Sequence, residues 1–133
     1  MSVVASTPID LSWVGGSYEA IEAVLLITPA GTQLGAWTRN PVSVDVLRVM
    51  SATLVGSIES LMNVLGSPSP HEVSLLIDAR RVLVSRIGPQ TLVVIVGTKG
   101  TTEMTLRTAV RKIVRSLPPR AIDDARSRGR RAE

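Results

Sequence analysis

The stretch from residue 72 to residue 97 constrains the fold more than any other part of the chain, because it has the pattern of three consecutive β-strands. The strands 72–77, 81–87 and 91–97 are rich in Val, Leu and Ile, and turn-forming residues stand between them (Asp78-Ala79-Arg80 and Gly88-Pro89-Gln90). Connections this short join antiparallel strands, so the block predicts a meander. Its first strand is then a candidate sheet edge, and an apolar edge strand must be paired or covered.

The other elements complete a single sheet. A hairpin is predicted over 23–28 and 32–39, because Pro29-Ala30-Gly31 supplies a turn. Ser43 is a suitable N-cap for a long helix that ends near Leu65, before Gly66. Apolar residues recur along this helix every three or four positions: Val44, Leu47, Met50, Leu54, Ile58, Leu61, Met62 and Leu65. Five strands in two meanders, with helices between and after them, predict an α+β fold: one antiparallel sheet covered on both faces.

The two ends of the chain differ from this central pattern. In residues 1–20, Pro8 and Asp10 favour a short helix through Trp13, which Gly15-Gly16 should break. The last helix has Thr101 or Thr102 as its cap and runs to about Leu117. Residues 118–133 follow Pro118-Pro119 and contain five arginines against three carboxylates, so we expect a flexible basic tail. Such a tail is either only solvated or contacts nucleic acid, acidic lipid or an acidic protein.

The amino-acid composition excludes most kinds of catalytic and metal-binding sites. The chain has no Cys, which excludes disulfides, thiolate catalysis and Cys-based zinc sites. His71 is the only histidine, and no spacing supplies it with an orienting partner. The loop from Gly97 to Thr102 contains Lys99 but lacks the spacing of a phosphate-binding P-loop. We therefore expect no catalytic residues, metal or cofactor, and a protein that is not an enzyme.

Composition also bears on location and partners. No apolar run approaches the roughly 20 residues that span a bilayer, and the N-terminus does not have the pattern of a signal peptide. We expect a cytoplasmic protein. Only Trp13, Tyr18 and Trp37 are aromatic, which disfavours nucleic-acid recognition by base stacking.

Over residues 21–117 the pattern resembles the roadblock/LC7 family. The segments that carry the resemblance are IEAVLLITPAGTQLGAW, VLRVMSATLVGSIESLMNVLG, EVSLLI, RVLVSRIG, TLVVIVG and LRTAVRKIVRSL. The resemblance implies a five-stranded sheet of order 2-1-5-4-3, with the long helix on one face and the terminal helices on the other. The family has a full first helix, so the short one expected here would leave part of the sheet open to a partner or to Trp13.

The resemblance also implies a function. Such proteins are adaptors or regulators of Ras-like small GTPases, or scaffold subunits of larger assemblies, and they dimerise through the third strand and the long helix. Carried onto this sequence, the dimer interface consists of Ser43, Leu47, Met50, Leu54, Ile58, Glu72, Val73, Ser74, Leu75, Leu76 and Ile77. The second subunit is either another copy of this chain or a paralogue.

The last helix offers a second candidate surface for a partner, formed by Arg107, Arg111 and Arg115, which recur every four residues. This stripe is either a solvated helix face or a contact for an acidic partner or nucleic acid. Two alternatives to a GTPase adaptor therefore stay open. One is a cytoskeletal or motor-type scaffold without a GTPase partner, and the other is a basic protein that associates with nucleic acid through its tail.

Overall fold

The structure is a computed structural model that describes residues 9–39, 43–68 and 71–117. Its elements, in chain order, are α1 (Trp13–Ser17), β1 (Ile21–Ile27), β2 (Gln33–Thr38), α2 (Val44–Val64), β3 (Glu72–Ile77), β4 (Arg80–Gly88), β5 (Thr91–Lys99) and α3 (Glu103–Ser116). The role of Pro8 and the tail 118–133 lie outside the described residues.

The five strands form one antiparallel sheet of order β2-β1-β5-β4-β3. This confirms the predicted α+β architecture and the predicted strand order. The strand β5 lies at the centre, and its middle is fully buried because both faces of the sheet are covered. That placement accounts for its nearly continuous apolar sequence.

Two apolar clusters fill the two faces of the sheet. On one face α1 and α3 pack against the strands, and the buried residues there include Leu11, Val14, Val24, Leu26, Leu83, Ile95, Leu106, Ala109 and Ile113. On the other face α2 covers a cluster of Ala23, Leu25, Ile27, Val55, Val84, Leu92 and Val94. The arrangement confirms the expectation that the long helix lies on one face and the terminal helices on the other.

The N-terminal segment differs from its prediction. Gly15 and Gly16 lie within α1 rather than breaking it. A Cβ on Gly15 would stand 2.5 Å from the Trp37 ring, so the glycine permits the close approach of α1 to β2. Leu11 and Val14 are 1% and 0% exposed. The short helix therefore covers its part of the sheet, and the expectation of a face left open there is wrong.

The helix termini and tight turns follow the predicted chemistry. The Ser43 side chain accepts a hydrogen bond from the Val46 amide at 3.3 Å, and Gly66 follows the helix end with φ 71°. The Thr102 side chain caps α3 in the same way, accepting from Thr105 at 3.2 Å. The β3–β4 turn places Asp78 and Ala79 at φ 50° and 64°, the geometry of a two-residue type I′ hairpin.

Candidate interaction surface

The two edges of the sheet differ in whether another segment lies against them. At the β2 edge, the Ile9 amide donates to the Leu34 carbonyl at 3.0 Å. A Cβ on Gly35 would stand 2.7 Å from the Ile9 carbonyl oxygen, so this segment lies directly against the strand. At the other edge, β3 pairs only with β4 among the described residues. Leu76 and Ile77 are 63% and 57% exposed on this uncovered edge.

The helix α2 has an apolar side that faces away from the sheet. Only Ser51 and Val55 are buried within this helix. Its three charged residues, Asp45, Arg48 and Glu59, all fall on one flank, as the 100° step per residue requires. The opposite side carries no charge, and more than half the surface of five of its residues is exposed: Val46, Met50, Leu61, Val64 and Leu65. A solvated helix face normally carries polar or charged residues, so this one has the composition of a contact surface.

The helix residues predicted for a dimer interface lie beside this apolar side. Leu47 is half-buried against the sheet, Met50 is 61% exposed, and Leu54 and Ile58 are partly exposed between them. Ser43 is occupied as the N-cap. Four exposed apolar positions outside that prediction lie on the same outward side: Val46, Leu61, Val64 and Leu65. For Leu61, Val64 and Leu65, the signal in the sequence was the absence of charge between Glu59 and the end of the helix.

A polar cluster fixes β3 to α3 on the opposite face of the sheet. Arg107 donates to the Glu72 carboxylate from Nε at 2.7 Å, and its Nη1 lies 3.3 Å from Glu103. A hydrogen bond from the Ser74 side chain holds the pKa of Glu103 below its ordinary value, with Arg107 and Arg81 adding to the shift. Arg81 reaches the Ser74 hydroxyl at 3.4 Å, and its Nε is buried without a hydrogen-bond partner among the described residues. The polar contacts of β3 therefore lie on the α3 face, while Val73 packs into the apolar cluster on the α2 face.

The predicted arginine stripe of α3 is divided by these contacts. Arg107 is neutralised by Glu72 and Glu103, whereas Arg111 and Arg115 are exposed and have no ion-pair partner in the described part of the chain. Lys112 lies over the Tyr18 ring at 5.8 Å from its centroid. Four other cations are ion-paired: Arg48 with Asp45, Arg80 with Glu22, Arg86 with Glu59, and Lys99 with Asp78. Arg39 instead donates to the carbonyls of Ile21, Gly15 and Tyr18, and Arg81 to the Ser74 hydroxyl. Among the described residues, the outer face of α3 thus carries several positive charges without an ion-pair partner.

The candidate chemical groups do not form a reactive centre. His71 is exposed at the start of β3, where its carbonyl accepts from the Arg86 amide. In the loop after β5, the Thr98 and Thr101 hydroxyls bond to each other at 2.9 Å, and the Gly100 amide donates to Ala79. The described ranges contain no group of three or more His, Asp or Glu side chains placed to hold a metal. None of the described helices is long and apolar enough to cross a membrane.

Comparison with solved structures identifies the fold. A roadblock/LC7 domain from Streptomyces avermitilis superposes with a TM-score of 0.72 at 19% identity, covering 85% of this chain and 98% of that chain. An MglB with a tetrameric arrangement gives 0.71 at 19% identity, covering 86% of each chain. The gliding protein MglB from Thermus thermophilus gives 0.66 at 19% identity, over 78% of this chain and 79% of that one. No protein-family model matches the sequence, and the curated proteins contain no match.

The chain therefore has the fold of roadblock/LC7 domains and of MglB. The resemblance seen in the sequence is confirmed at the level of the fold, including the strand order and the placement of the helices. At these identities the comparison concerns architecture alone.

Proposed function

We propose that this chain is a non-catalytic, cytoplasmic adaptor that forms a dimer through β3 and α2 and regulates a Ras-like small GTPase. The observation that carries the proposal is the uncovered β3 edge combined with the charge-free outer side of α2. Each feature alone is a liability, because open edges and exposed apolar faces promote aggregation. Together they form one surface that a second subunit would cover.

The geometry of the sheet makes the two contacts compatible. Two copies that pair β3 with β3 in antiparallel fashion are related by a two-fold axis perpendicular to the sheet. Such an axis leaves each face on its own side, so both α2 helices lie on one side of a ten-stranded sheet and both α3 helices on the other. The apolar sides of the α2 helices are then brought toward each other.

The regulatory part of the proposal comes from the family resemblance. Roadblock/LC7 proteins serve as adaptors or regulators of Ras-like small GTPases, and this chain has their fold. An MglB of the same fold adopts a tetrameric arrangement, which supports self-association as the mode of action of this chain too. The lack of a reactive cluster among the described residues is compatible with a role in binding rather than catalysis.

The dimer is tested first, by size-exclusion chromatography with light scattering at micromolar concentration. We expect a dimer for the parent protein and a folded monomer for Leu75→Asp, because the new carboxylate would be buried unpaired against the second copy. Thr108→Asp, on the exposed face of α3, is the control for an added charge and should stay dimeric. A parent protein that is strictly monomeric would refute the proposal.

GTPase binding is tested separately. Immobilised dimer is exposed to purified Ras-like GTPases of the same organism, loaded with either a GTP analogue or GDP. Nucleotide-dependent retention that is lost in Leu75→Asp would support an adaptor that acts as a dimer. Retention of cytoskeletal or motor subunits without any GTPase would instead favour the scaffold alternative.

The outer face of α3 favours a second kind of contact, with an anionic partner. Arg111, Lys112 and Arg115 supply positive charge that the described acidic residues do not offset. If this face binds nucleic acid, affinity will fall steeply with salt, and Arg111→Glu with Arg115→Glu will abolish it. Unchanged behaviour of that double variant toward DNA and RNA at low salt would leave the face as a solvated one.

A further inference from the structure

We infer that the β3 edge is complementary to itself in one register, in which Ser74 faces Ser74 of a second copy of this chain. The inference rests on the proposed dimer and deepens it, since it names the second subunit as an identical chain rather than a paralogue. It follows from the direction of the backbone groups of β3, from the chemistry of its flanking residues and from the length of the strand.

The hydrogen-bond pattern determines which residues of β3 point to the open edge. The Arg86 amide donates to the His71 carbonyl at 2.8 Å, so these two residues form a hydrogen-bonded pair of the β3–β4 ladder. The register is regular from Glu72↔Ser85 to Ile77↔Arg80, so such pairs alternate along it. Hence residues 73, 75 and 77 direct their N–H and C=O groups toward β4.

The other three residues, Glu72, Ser74 and Leu76, therefore direct their N–H and C=O groups away from the sheet. The type I′ turn supports the same assignment, because a two-residue hairpin loop is closed by a hydrogen-bonded pair, here Ile77 and Arg80. The open edge thus presents donors and acceptors at every second residue, from 72 to 76.

This alternation restricts how two identical edges can pair. Hydrogen bonds form only where an outward-directed residue faces an outward-directed residue of the second copy. The register with complete overlap, Glu72 facing Ile77, fails this condition. The two nearest registers that satisfy it place either Ser74 or Leu75 on the two-fold axis.

The flanking residues select between these two. With Leu75 on the axis, Glu72 would face Asp78 of the second copy, which opposes two negative charges and uses a residue that belongs to the turn. With Ser74 on the axis, Glu72 faces Leu76, Ser74 faces Ser74, and all three outward-directed residues form hydrogen-bonded pairs. A shift the other way would place Leu76 opposite a position before Glu72, where β3 begins, so that Leu76 would have no strand partner.

The selected register also brings apolar side chains of the two copies together on the α2 face. Val73 belongs to the apolar cluster under α2, and its neighbour Leu75 lies on the same face. In this register Val73 faces Leu75 of the second copy, so the seam beneath the α2 helices is apolar. On the α3 face, Glu72 faces Leu76, and its carboxylate is paired with Arg107 of its own copy.

The absence of cysteine makes the register directly measurable. Single variants Val73→Cys, Ser74→Cys, Leu75→Cys and Leu76→Cys are oxidised mildly and run on non-reducing gels. Facing residues of a hydrogen-bonded pair have Cα atoms about 5.5 Å apart, within disulfide reach. The two copies of residue 73, or of residue 75, are two positions out of register and lie roughly 8 Å apart, beyond that reach, and the two copies of residue 76 lie farther apart still. We expect a covalent dimer for Ser74→Cys and none for the other three.

A mixing experiment protects the result against a local effect of one substitution. Val73→Cys and Leu75→Cys should not crosslink alone, but should form a disulfide-linked heterodimer when mixed, because these positions face each other in the inferred register. Crosslinking at 73, 75 or 76 alone would overturn the register and leave the dimer intact. A dimer by light scattering that crosslinks nowhere would overturn strand pairing, and a monomer would overturn the proposed function itself.

Discussion

Replacing Met50 with Gln tests whether the apolar side of α2 is covered in the dimer. Met50 is 61% exposed in the single chain, and its helix propensity is close to that of Gln, so the subunit should fold normally. Full burial of a Met side chain contributes about 1.5–3 kcal/mol, and the exposed fraction therefore accounts for about 1–2 kcal/mol per copy. Two-fold symmetry counts this twice, for about 2–4 kcal/mol per dimer.

Such a loss corresponds to a dimer dissociation constant raised roughly 30- to 1000-fold. Sedimentation velocity over a range of concentrations gives this constant, and circular dichroism checks that the variant is folded. Met104→Gln is the matched control, because Met104 is 74% exposed on α3, at the opposite face of the sheet. A Met50→Gln dimer as tight as the parent dimer would refute the assignment of this helix side to the interface.

Three further predictions concern the β3 edge, the packing of β5 and the polar cluster. Leu76→Lys should tighten the dimer and Leu76→Asp should weaken it, because residue 76 faces Glu72 of the second copy. Each facing pair contributes about 0.2–1 kcal/mol. Equal dimer dissociation constants for the two variants would contradict the register. Gly97→Ala should lower the free energy of unfolding by about 1–3 kcal/mol, since its Cβ would stand 2.9 Å from the Thr101 side chain. A Cβ on Gly56 meets open space, so Gly56→Ala should raise the free energy of unfolding by about 0.5–1 kcal/mol. Urea unfolding measures both changes. The pKa of Glu103 lies below its ordinary value of 4.5, so the carboxylate stabilises the fold above pH 4.5 and this contribution is lost as the pH falls through the lowered pKa. In Ser74→Ala the pKa of Glu103 should return toward 4.5. An NMR titration that shows the same Glu103 pKa in both proteins would exclude Ser74 as the main cause of the shift.

Much of the fold could be predicted because its signals are local. Apolar runs and the turn residues between them located the five strands, and the caps Ser43 and Thr102 fixed the starts of two helices to within a residue. The strand order came from the resemblance rather than from any local signal, since nothing within a strand specifies its neighbour. The prediction that Gly15-Gly16 break the first helix was wrong. Helix propensity disfavours glycine, but contact with Trp37 requires a residue without a side chain, so the tertiary contact decided that short helix.

The candidate interaction surface likewise has some features that the sequence determines and others that depend on the tertiary structure. The sequence by itself determined that α2 lacks charge along one side and that β3 is apolar, since both are properties of residue spacing. Only the tertiary structure decided that Ile9 covers the β2 edge while no described segment covers β3, because covering an edge needs a segment distant in sequence. It also decided that Arg107 is neutralised while Arg111 and Arg115 meet no carboxylate of the described residues, because the carboxylate of Glu72 comes from a strand 35 residues away. Periodicity assigns a residue to a face, and folding alone determines what that face meets.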